Sequence, residues 1–262
     1  MGKTLENLQK LAFGAIPILA FFALWQAVTA LGILPSSIIP QPSRVFTALV
    51  NAFAQGDLLR YAAISVVNVL AGLALSIFFG ISVGLLAGIY LKRFSRYLLP
   101  FLRVCEKLNP FALLPIFVLI FGIGRVEKIA VVFWVSVWPL LFSTIDGLVN
   151  LDVDTLRSAR SMGAKRLVLL RKVIVPMMTP TIFSGIKSSA QVAFFMIIAS
   201  EMMASSTGLG WYYMKVKTAY QPPLMYGIVL FITAMAILVN LLFTLIEKRF
   251  SKWRVQSLGT AE

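Results

Sequence analysis

The sequence predicts an all-α membrane protein with six transmembrane helices. Of its 262 residues, 59% are hydrophobic and only 13% are charged, and the mean hydropathy of +0.89 lies far above that of a soluble domain. Apolar runs free of charge lie at 11–43, 61–91, 108–124, 129–145 and 218–246, and a sixth at 173–200 is broken only by Lys187. Since one helical crossing needs about 20 residues, these runs give six spans.

The distribution of lysine and arginine also supports a membrane protein, because these residues fall mainly in every second loop between the apolar runs. The groups are Lys3 and Lys10, then residues 92–103, 157–172 and 248–254. Because basic residues in short loops mark the cytoplasmic side, we expect a multi-pass protein with both termini and the 151–172 segment in the cytoplasm. This topology accounts for most of the net charge of +14 and argues against nucleic-acid binding.

The first elements are a retained membrane anchor and an outer helix. The run 11–43 is longer than the core of a signal peptide and lacks a small-residue cleavage pattern. Pro42 then opens a helix that ends near Gly56. The apolar side chains of this helix are Val45, Phe46, Leu49, Val50 and Phe53. They predict an interfacial helix on the periplasmic surface at about 42–55, which either packs on the spans or docks a partner.

The middle of the chain predicts a broken span and a later outer turn. Asn109 directly precedes Pro110, and a helix broken at this proline should expose backbone groups to a cavity. The small residues of 205–210 predict a tight turn after the fifth span, followed by aromatic residues suited to the membrane interface. With no linker or soluble domain visible, residues 1–262 are predicted to form one membrane domain.

Residues 151–172 predict a helical elbow between the fourth and fifth spans. We expect its first helix to run from Asp154 to Met162, because an aspartate at a helix start caps the free N–H groups. Gly163 should end this helix in the left-handed conformation, which glycine adopts without steric cost.

The second half of the elbow should be a helix that reaches Val175 and is broken by Pro176. Ala159 and Gly163 lie four residues apart and therefore on one face of the element. Since neither has a large side chain, we expect that face to be nearly bare and another protein to approach it closely.

This elbow resembles the coupling element of ATP-binding-cassette (ABC) importer permeases. That family has Glu-Ala-Ala, three residues, Gly, nine residues and an apolar-x-apolar-Pro ending. Here the frame reads Arg-Ser-Ala at 157–159, Gly163, and Val-Ile-Val-Pro at 173–176. Further matching segments are 34–35, 40–43, 109–115, 121–124, 199–202 and 208–210. Over roughly residues 10–250 the chain is similar to the sulfonate, taurine and nitrate branch of these permeases.

The resemblance implies the type I importer fold and a bacterial inner-membrane location. It also implies a second permease copy, two cytoplasmic ATPase subunits that hold ATP and Mg²⁺, and a periplasmic or lipid-anchored substrate-binding protein, with no cofactor on this chain. The implied ATPase-coupling residues are Asp154, Leu156, Arg157, Ala159, Arg160, Met162, Gly163, Ala164 and Pro176. Arg157 departs from the family pattern, because it stands where the elbow glutamate is expected.

Polar residues inside the predicted spans are the candidates for the translocation path, because such groups usually face the protein interior. They are Lys107, Asn109, Lys187, Gln191 and Glu201. Lys187 and Gln191 are one turn apart and share a helix face. Lys187 could favour a small anion, since few acids lie near it in the sequence, or it could reach lipid headgroups. Lys187 and Glu201 could instead form a structural pair or a dimer contact, and Glu201 could anchor the following glycine-containing loop.

The composition argues against catalysis by this chain. It has no histidine and a single cysteine, Cys105, so the residues for a zinc site or a Cys/His or Ser/His pair are missing. The glycines at 122–124 lack the Gly-Lys-Ser/Thr ending of a phosphate loop. If ATP drives transport, a partner hydrolyses it. A secondary transporter and an importer of a vitamin or pyrimidine-precursor heterocycle are the alternatives.

Overall fold

Every regular element in the part of the chain that the structure describes is a helix. The computed structural model describes residues 16–17, 20–32, 35, 37–89 and 92–255. Its elements are α1 Ala20–Ala30, α2 Pro42–Ala54, α3 Asp57–Ile89, α4 Lys92–Glu106, α5 Pro110–Phe121, α6 Arg125–Val149, α7 Val153–Ser161, α8 Arg166–Leu169, a π-helix Leu170–Ile174, α9 Val175–Met203, α10 Leu209–Thr218 and α11 Pro222–Val255. The predicted all-α class is confirmed.

Among the described residues, four stretches are long and apolar enough to cross a membrane, and a bent pair of helices brings the number to five. The four are Asp57–Ala87, Arg125–Val149, Leu167–Met203 and Pro222–Glu247. The bent pair, Leu99–Glu106 and Pro110–Phe121, meets at 89°, which confirms the predicted break at Asn109 and Pro110. The first predicted span lies partly outside the described residues, so the number six stays a prediction.

The chain divides into two compact units. One comprises residues 1–61 and 212–232, and the other comprises residues 62–211 and 233–262. All the residues predicted for the elbow and for the translocation path belong to the second unit. The prediction of a single membrane domain stays a prediction.

In the first unit, α2 has the bounds that the sequence predicts. It begins at Pro42 and ends before Gly56, whose φ is +81°. Leu49 packs near Gly227 of α11, where an added Cβ would lie 3.3 Å from the Cβ of Leu49. Phe46 is 67% exposed. The helix therefore packs with one side and leaves an apolar side open, while its place on the periplasmic surface stays a prediction.

In the second unit, α6 lies at the centre and packs against α3, α5 and α9. The buried side chains at these contacts are Val69, Leu114, Val131, Val132, Val135, Ala193, Met196 and Ile197. Glycines of α3 let the two backbones approach: an added Cβ at Gly72 would come within 2.5 Å of Val132 Cγ1, and one at Gly84 within 2.7 Å of Thr144 Cβ. Small residues give this kind of close helix contact in membrane proteins.

Serines connect α6 to α9. The Ser189 hydroxyl donates to the Ser136 carbonyl at 2.7 Å, and the Ser136 hydroxyl donates to the Ser189 carbonyl at 3.4 Å. Gly185 lies so close to Ser143 that an added Cβ would be 2.6 Å from the serine Cβ. Because α9 is continuous with the second half of the elbow, the elbow is mechanically connected to this packed core.

The first elbow helix is capped by Asp152, so the prediction that Asp154 caps it is wrong. The Asp152 carboxylate accepts the N–H groups of Asp154 at 3.1 Å and Thr155 at 3.2 Å. The Thr155 hydroxyl, together with these N–H groups, holds the pKa of Asp152 below its ordinary value. Because α7 starts at Val153, Asp154 falls in its first turn, where a negative charge still favours the helix dipole.

The end of α7 follows the prediction. Gly163 has a φ of +80°, and its N–H donates to the Arg160 carbonyl at 2.9 Å while the Ala164 N–H donates to the Ala159 carbonyl at 3.2 Å. These two bonds form a Schellman motif, which satisfies the last carbonyls of a helix through a left-handed glycine. The left-handed Gly163 is therefore confirmed.

The second elbow helix is not broken at Pro176, so that prediction is wrong. The α8 helix, the π-helix and α9 form one continuous stretch, Leu167–Met203, that is long and apolar enough to cross a membrane. In the π-turn the Val175 N–H donates to the Leu170 carbonyl, and Pro176 stands in the first turn of α9. Proline is tolerated in the first turn of a helix. The π-turn shifts the backbone hydrogen-bond register just before Pro176, so the helix continues through this residue.

Candidate functional site

The elbow presents large apolar side chains among basic ones. Met162 is 81% exposed and Leu167 is 66% exposed. An added Cβ at Gly163 would find no atom within 4 Å. Exposed basic residues of the elbow are Arg157, Arg160, Lys165, Arg171 and Lys172. An apolar centre with a polar rim is the composition of a docking surface.

Ala159 does not belong to this surface. Its side chain is only 7% exposed, so the expectation of a bare face at Ala159 is wrong: α7 turns this residue towards its own chain. Leu156 and Ala164 are half-buried, whereas Pro176 is exposed. The large apolar side chains of the elbow surface, Met162 and Leu167, therefore lie at its tip and its second helix, while α7 contributes exposed arginines.

Arg157, the residue at the family's glutamate position, forms an exposed ion pair. Its guanidinium lies 3.4 Å from Asp154 Oδ1, and the two side chains are 76% and 86% exposed. A pair this open to water contributes only about 0–1 kcal/mol, so it does little to fix the shape of α7.

Lys187 and Gln191 have partners on α11. Lys187 Nζ lies 3.3 Å from Glu247 Oε2, and Gln191 Nε2 donates to Asn240 Oδ1 at 2.9 Å. The expectation that few acids lie near Lys187 overlooked Glu247, which is distant in sequence and pairs with it. These residues tie α9 to α11, and the hypothesis that Lys187 favours an anion loses its basis.

Lys107 and Asn109 lie at the break between α4 and α5. Lys107 is 3.5 Å from its neighbour Glu106 and 79% exposed. The Asn109 side chain accepts the Phe111 N–H at 3.0 Å and caps α5. Asn109 therefore has a local structural role in starting the second half of the bent pair, and contact with a transported solute stays a prediction for both residues.

Glu201 is buried and fastens the turn that follows α9. Its carboxylate oxygens lie 2.9 and 2.7 Å from the Ser65 hydroxyl and accept the Gly210 N–H at 3.1 Å. The Leu209 N–H in turn donates to the Ser65 hydroxyl at 2.9 Å. Gly208 contacts the same carboxylate and leaves no room there for a Cβ. The predicted anchoring of the glycine-containing loop by Glu201 is confirmed.

Glu127 and Lys128, at the start of α6, extend this polar cluster. Glu127 is fully buried, and Oε1 accepts the Ser200 hydroxyl at 2.9 Å. Lys128 is 2% exposed, and Nζ donates to the Thr207 carbonyl at 2.9 Å and to its hydroxyl at 3.3 Å. Lys128 also attracts both Glu127 and Glu201. The lysine therefore compensates two buried carboxylates and holds the 205–207 turn.

The charge pattern alone did not predict this cluster, because Lys128 directly precedes the apolar run 129–145 and is therefore expected in a loop. A signal was available in the spacing. Lys128 precedes Val131, Val132 and Val135 by three, four and seven residues, which places it on the apolar face of the helix. Those three valines are buried, and a lysine on such a face needs compensation within the protein.

A cavity of about 450 Å³ opens next to this cluster, and we name it the α6-entry cavity. Its lining residues are Ala63, Ile64, Val67, Asn68, Gly124, Arg125, Lys128, Ser205, Ser206 and Thr207. The side facing α3 is mostly apolar, whereas the start of α6 and the 205–207 turn supply cationic and hydroxyl groups. Among the described residues that line the cavity, none is acidic.

Comparison with known proteins identifies the chain. Residues 80–255 match the family described as binding-protein-dependent transport system inner membrane component. An aliphatic sulfonates transport permease protein, SsuC, of Bacillus subtilis (strain 168) is 28% identical over 88% of this chain and 84% of its own. The taurine transport system permease protein TauC of Escherichia coli (strain K12) is 26% identical over 93% and 89%.

Two solved structures share the fold. An inward-facing MetNI methionine ABC transporter has a TM-score of 0.60 at 14% identity and covers 75% of this chain and 95% of its own. An amino acid ABC transporter solved with histidines has a TM-score of 0.63 at 14% identity and covers 77% and 97%. These neighbours confirm the type I importer permease fold.

The fold and the elbow define a helical membrane subunit of a transporter. The chain belongs to the family of binding-protein-dependent inner-membrane transport components: it is the permease component of an ABC importer, and it is not itself an enzyme. Permeases of this class work with ATPase and substrate-binding partners. The resemblance stated from the sequence is confirmed.

Proposed function

We propose that this permease forms the translocation pathway for a small anion of the sulfonate, taurine or nitrate type. The observation that carries the proposal is the similarity to sulfonate and taurine permeases over nearly the full length of each chain. Residues of the α6-entry cavity agree with it, since Arg125 and Lys128 line the cavity and none of its lining residues is acidic.

The working assembly would be a homodimer of this chain with two cytoplasmic ATPases and a periplasmic or lipid-anchored binding protein. ATP and Mg²⁺ would bind the ATPases, and this chain would bind no cofactor. Each elbow would dock in a groove of one ATPase through its exposed Met162 and Leu167. ATP-driven closure of the ATPases would then move the elbows together and open the permeases outward as rigid bodies. The continuous Leu167–Met203 helix supports this transmission.

Uptake by reconstituted proteoliposomes tests the substrate class. With the cognate ATPase and binding protein, we expect uptake of labelled taurine or ethanesulfonate that requires ATP and the binding protein. Unlabelled alkanesulfonates should compete, whereas a neutral heterocycle such as a pyrimidine should not. ATP-dependent uptake of a neutral or cationic solute that sulfonates do not inhibit would exclude the anion proposal. The matched control is a proteoliposome without binding protein.

Labelling of introduced thiols tests the proposed orientation. In a Cys105→Ser background, Ser161→Cys in the elbow should resist a membrane-impermeant thiol reagent in intact cells, while Ser206→Cys should react. Both positions are exposed in the structure, so a difference reports the side of the membrane rather than burial. Permeabilised cells should label at both positions. The opposite pattern in intact cells would contradict the cytoplasmic elbow.

A further inference from the structure

We propose that the α6-entry cavity is a binding site for the oxyanion group of the transported solute, with Arg125 supplying the positive charge and Lys128 a further N–H donor. The inference rests on the proposed import of a small anion and assigns it a place in this chain. A volume of about 450 Å³ lies within the usual range of small-molecule pockets, roughly 300–1,000 Å³.

The first argument is the separation of charge around the cavity. Both nearby carboxylates are held away from its lining: Glu201 by Ser65 and the Gly210 N–H, and Glu127 by Ser200. Arg125 and Lys128, in contrast, are among its lining residues. Since Lys128 already compensates the two carboxylates, the exposed Arg125 is the cation that an entering anion meets.

The second argument is unused hydrogen-bonding capacity. A lysine ammonium has three N–H groups, and Lys128 gives two of its contacts to Thr207. Arg125 is exposed, and no described carboxylate lies within ion-pair distance of it. Gly124, the N-cap of α6, offers no side chain to the first N–H groups of that helix, and such groups bind anions. The side-chain donors of Arg125 and Lys128 thus border one cavity, which Gly124 also lines.

The third argument is the shape of a matching solute. Opposite the charged groups, Ala63, Ile64 and Val67 of α3 supply an apolar wall. The turn adds the hydroxyls of Ser206 and Thr207. A compact oxyanion with a short alkyl chain, such as an alkanesulfonate, can place its oxygens at Arg125 and its methylene groups against α3.

Charge-selective thiol labelling tests the site without relying on transport. Ser206→Cys, in the Cys105→Ser background, is treated with sulfonatoethyl or trimethylammonioethyl methanethiosulfonate, which are similar in size and opposite in charge. We expect Arg125→Gln to lower the ratio of the anionic to the cationic reaction rate at this position about threefold or more, as expected from removing one charge at short range. Ethanesulfonate should protect the thiol from both reagents.

Two matched controls isolate the cavity. Arg60→Gln removes an exposed arginine that does not line it, and should leave the ratio at Ser206→Cys unchanged. A thiol at Asn51→Cys on α2 should be insensitive to Arg125→Gln. An unchanged ratio after Arg125→Gln, or protection by ethanesulfonate that survives this substitution, would overturn the site.

Two further outcomes separate the site from its alternatives. If protection of the Ser206→Cys thiol requires anionic phospholipid and is absent in detergent, the cavity binds a lipid headgroup. That result would overturn the site for the solute. Sulfonate uptake in proteoliposomes together with an unchanged rate ratio would refute the site while leaving the proposed function intact. Uptake of a neutral solute instead would refute the proposed function, whatever the labelling shows.

Discussion

Gly163→Val is expected to reduce transport about fivefold or more while the permease still reaches the membrane. Gly163 has a φ of +80°, and a β-branched residue there is a strained outlier that costs roughly 1–3 kcal/mol. Since 1.4 kcal/mol changes a binding constant about tenfold, a distorted elbow tip should dock poorly on the ATPase. The measurements are uptake by proteoliposomes and the amount of ATPase that co-purifies with the permease.

Gly56→Val provides a matched control for this prediction. Gly56 has nearly the same φ, +81°, and an added Cβ would likewise meet no atom within 4 Å at either position. Both substitutions should therefore cause similar strain, but only Gly163 lies in the proposed docking surface. Equal transport by the two variants would contradict the coupling role. Gly163→Asn should retain more transport than Gly163→Val, because asparagine tolerates the left-handed conformation better.

The sequence predicted the ends of a helix correctly where a single proline or glycine determines them. Proline and glycine set the bounds of α2, and glycine ends α7, because their backbone preferences act within a single turn. No such local signal showed whether Asp152 or Asp154 caps α7. Both can cap a helix, and the residue at which the helix starts decides between them.

The partners of Lys187 and Glu201 depend on contacts between distant segments. Lys187 and Glu247 are 60 residues apart in sequence, and Ser65 and Glu201 are 136 apart. A charge pattern along one helix identifies a residue that needs a partner, but helix packing decides which partner it meets. The continuation through Pro176 was missed for a related reason, because a π-turn changes the backbone register without a distinctive residue type.

Glu201→Leu is expected to destabilise the permease by about 3–5 kcal/mol, the usual cost of removing one member of a buried charged group. The substitution leaves Lys128 with less compensation and leaves the Ser65 hydroxyl and the Gly210 N–H without their acceptor. For a domain of this size, 1 kcal/mol shifts the melting temperature by roughly 2–4 °C. Thermal unfolding of the purified permease–ATPase complex should therefore show a loss of at least about 6 °C.

The double variant Lys128→Met with Glu201→Leu should be more stable than the sum of the two single effects predicts, by about 1 kcal/mol or more. Coupling of this size is typical of residues in one charged network, and it is expected here because removing both charges avoids leaving one of them buried without compensation. Glu247→Leu is the comparison, since it breaks a less buried pair with Lys187, whose side chains are 27% and 26% exposed, and it should cost less than Glu201→Leu. Strict additivity of Lys128→Met and Glu201→Leu would show that the two charges do not stabilise each other, and that Glu201 holds the 205–210 turn through its hydrogen bonds alone.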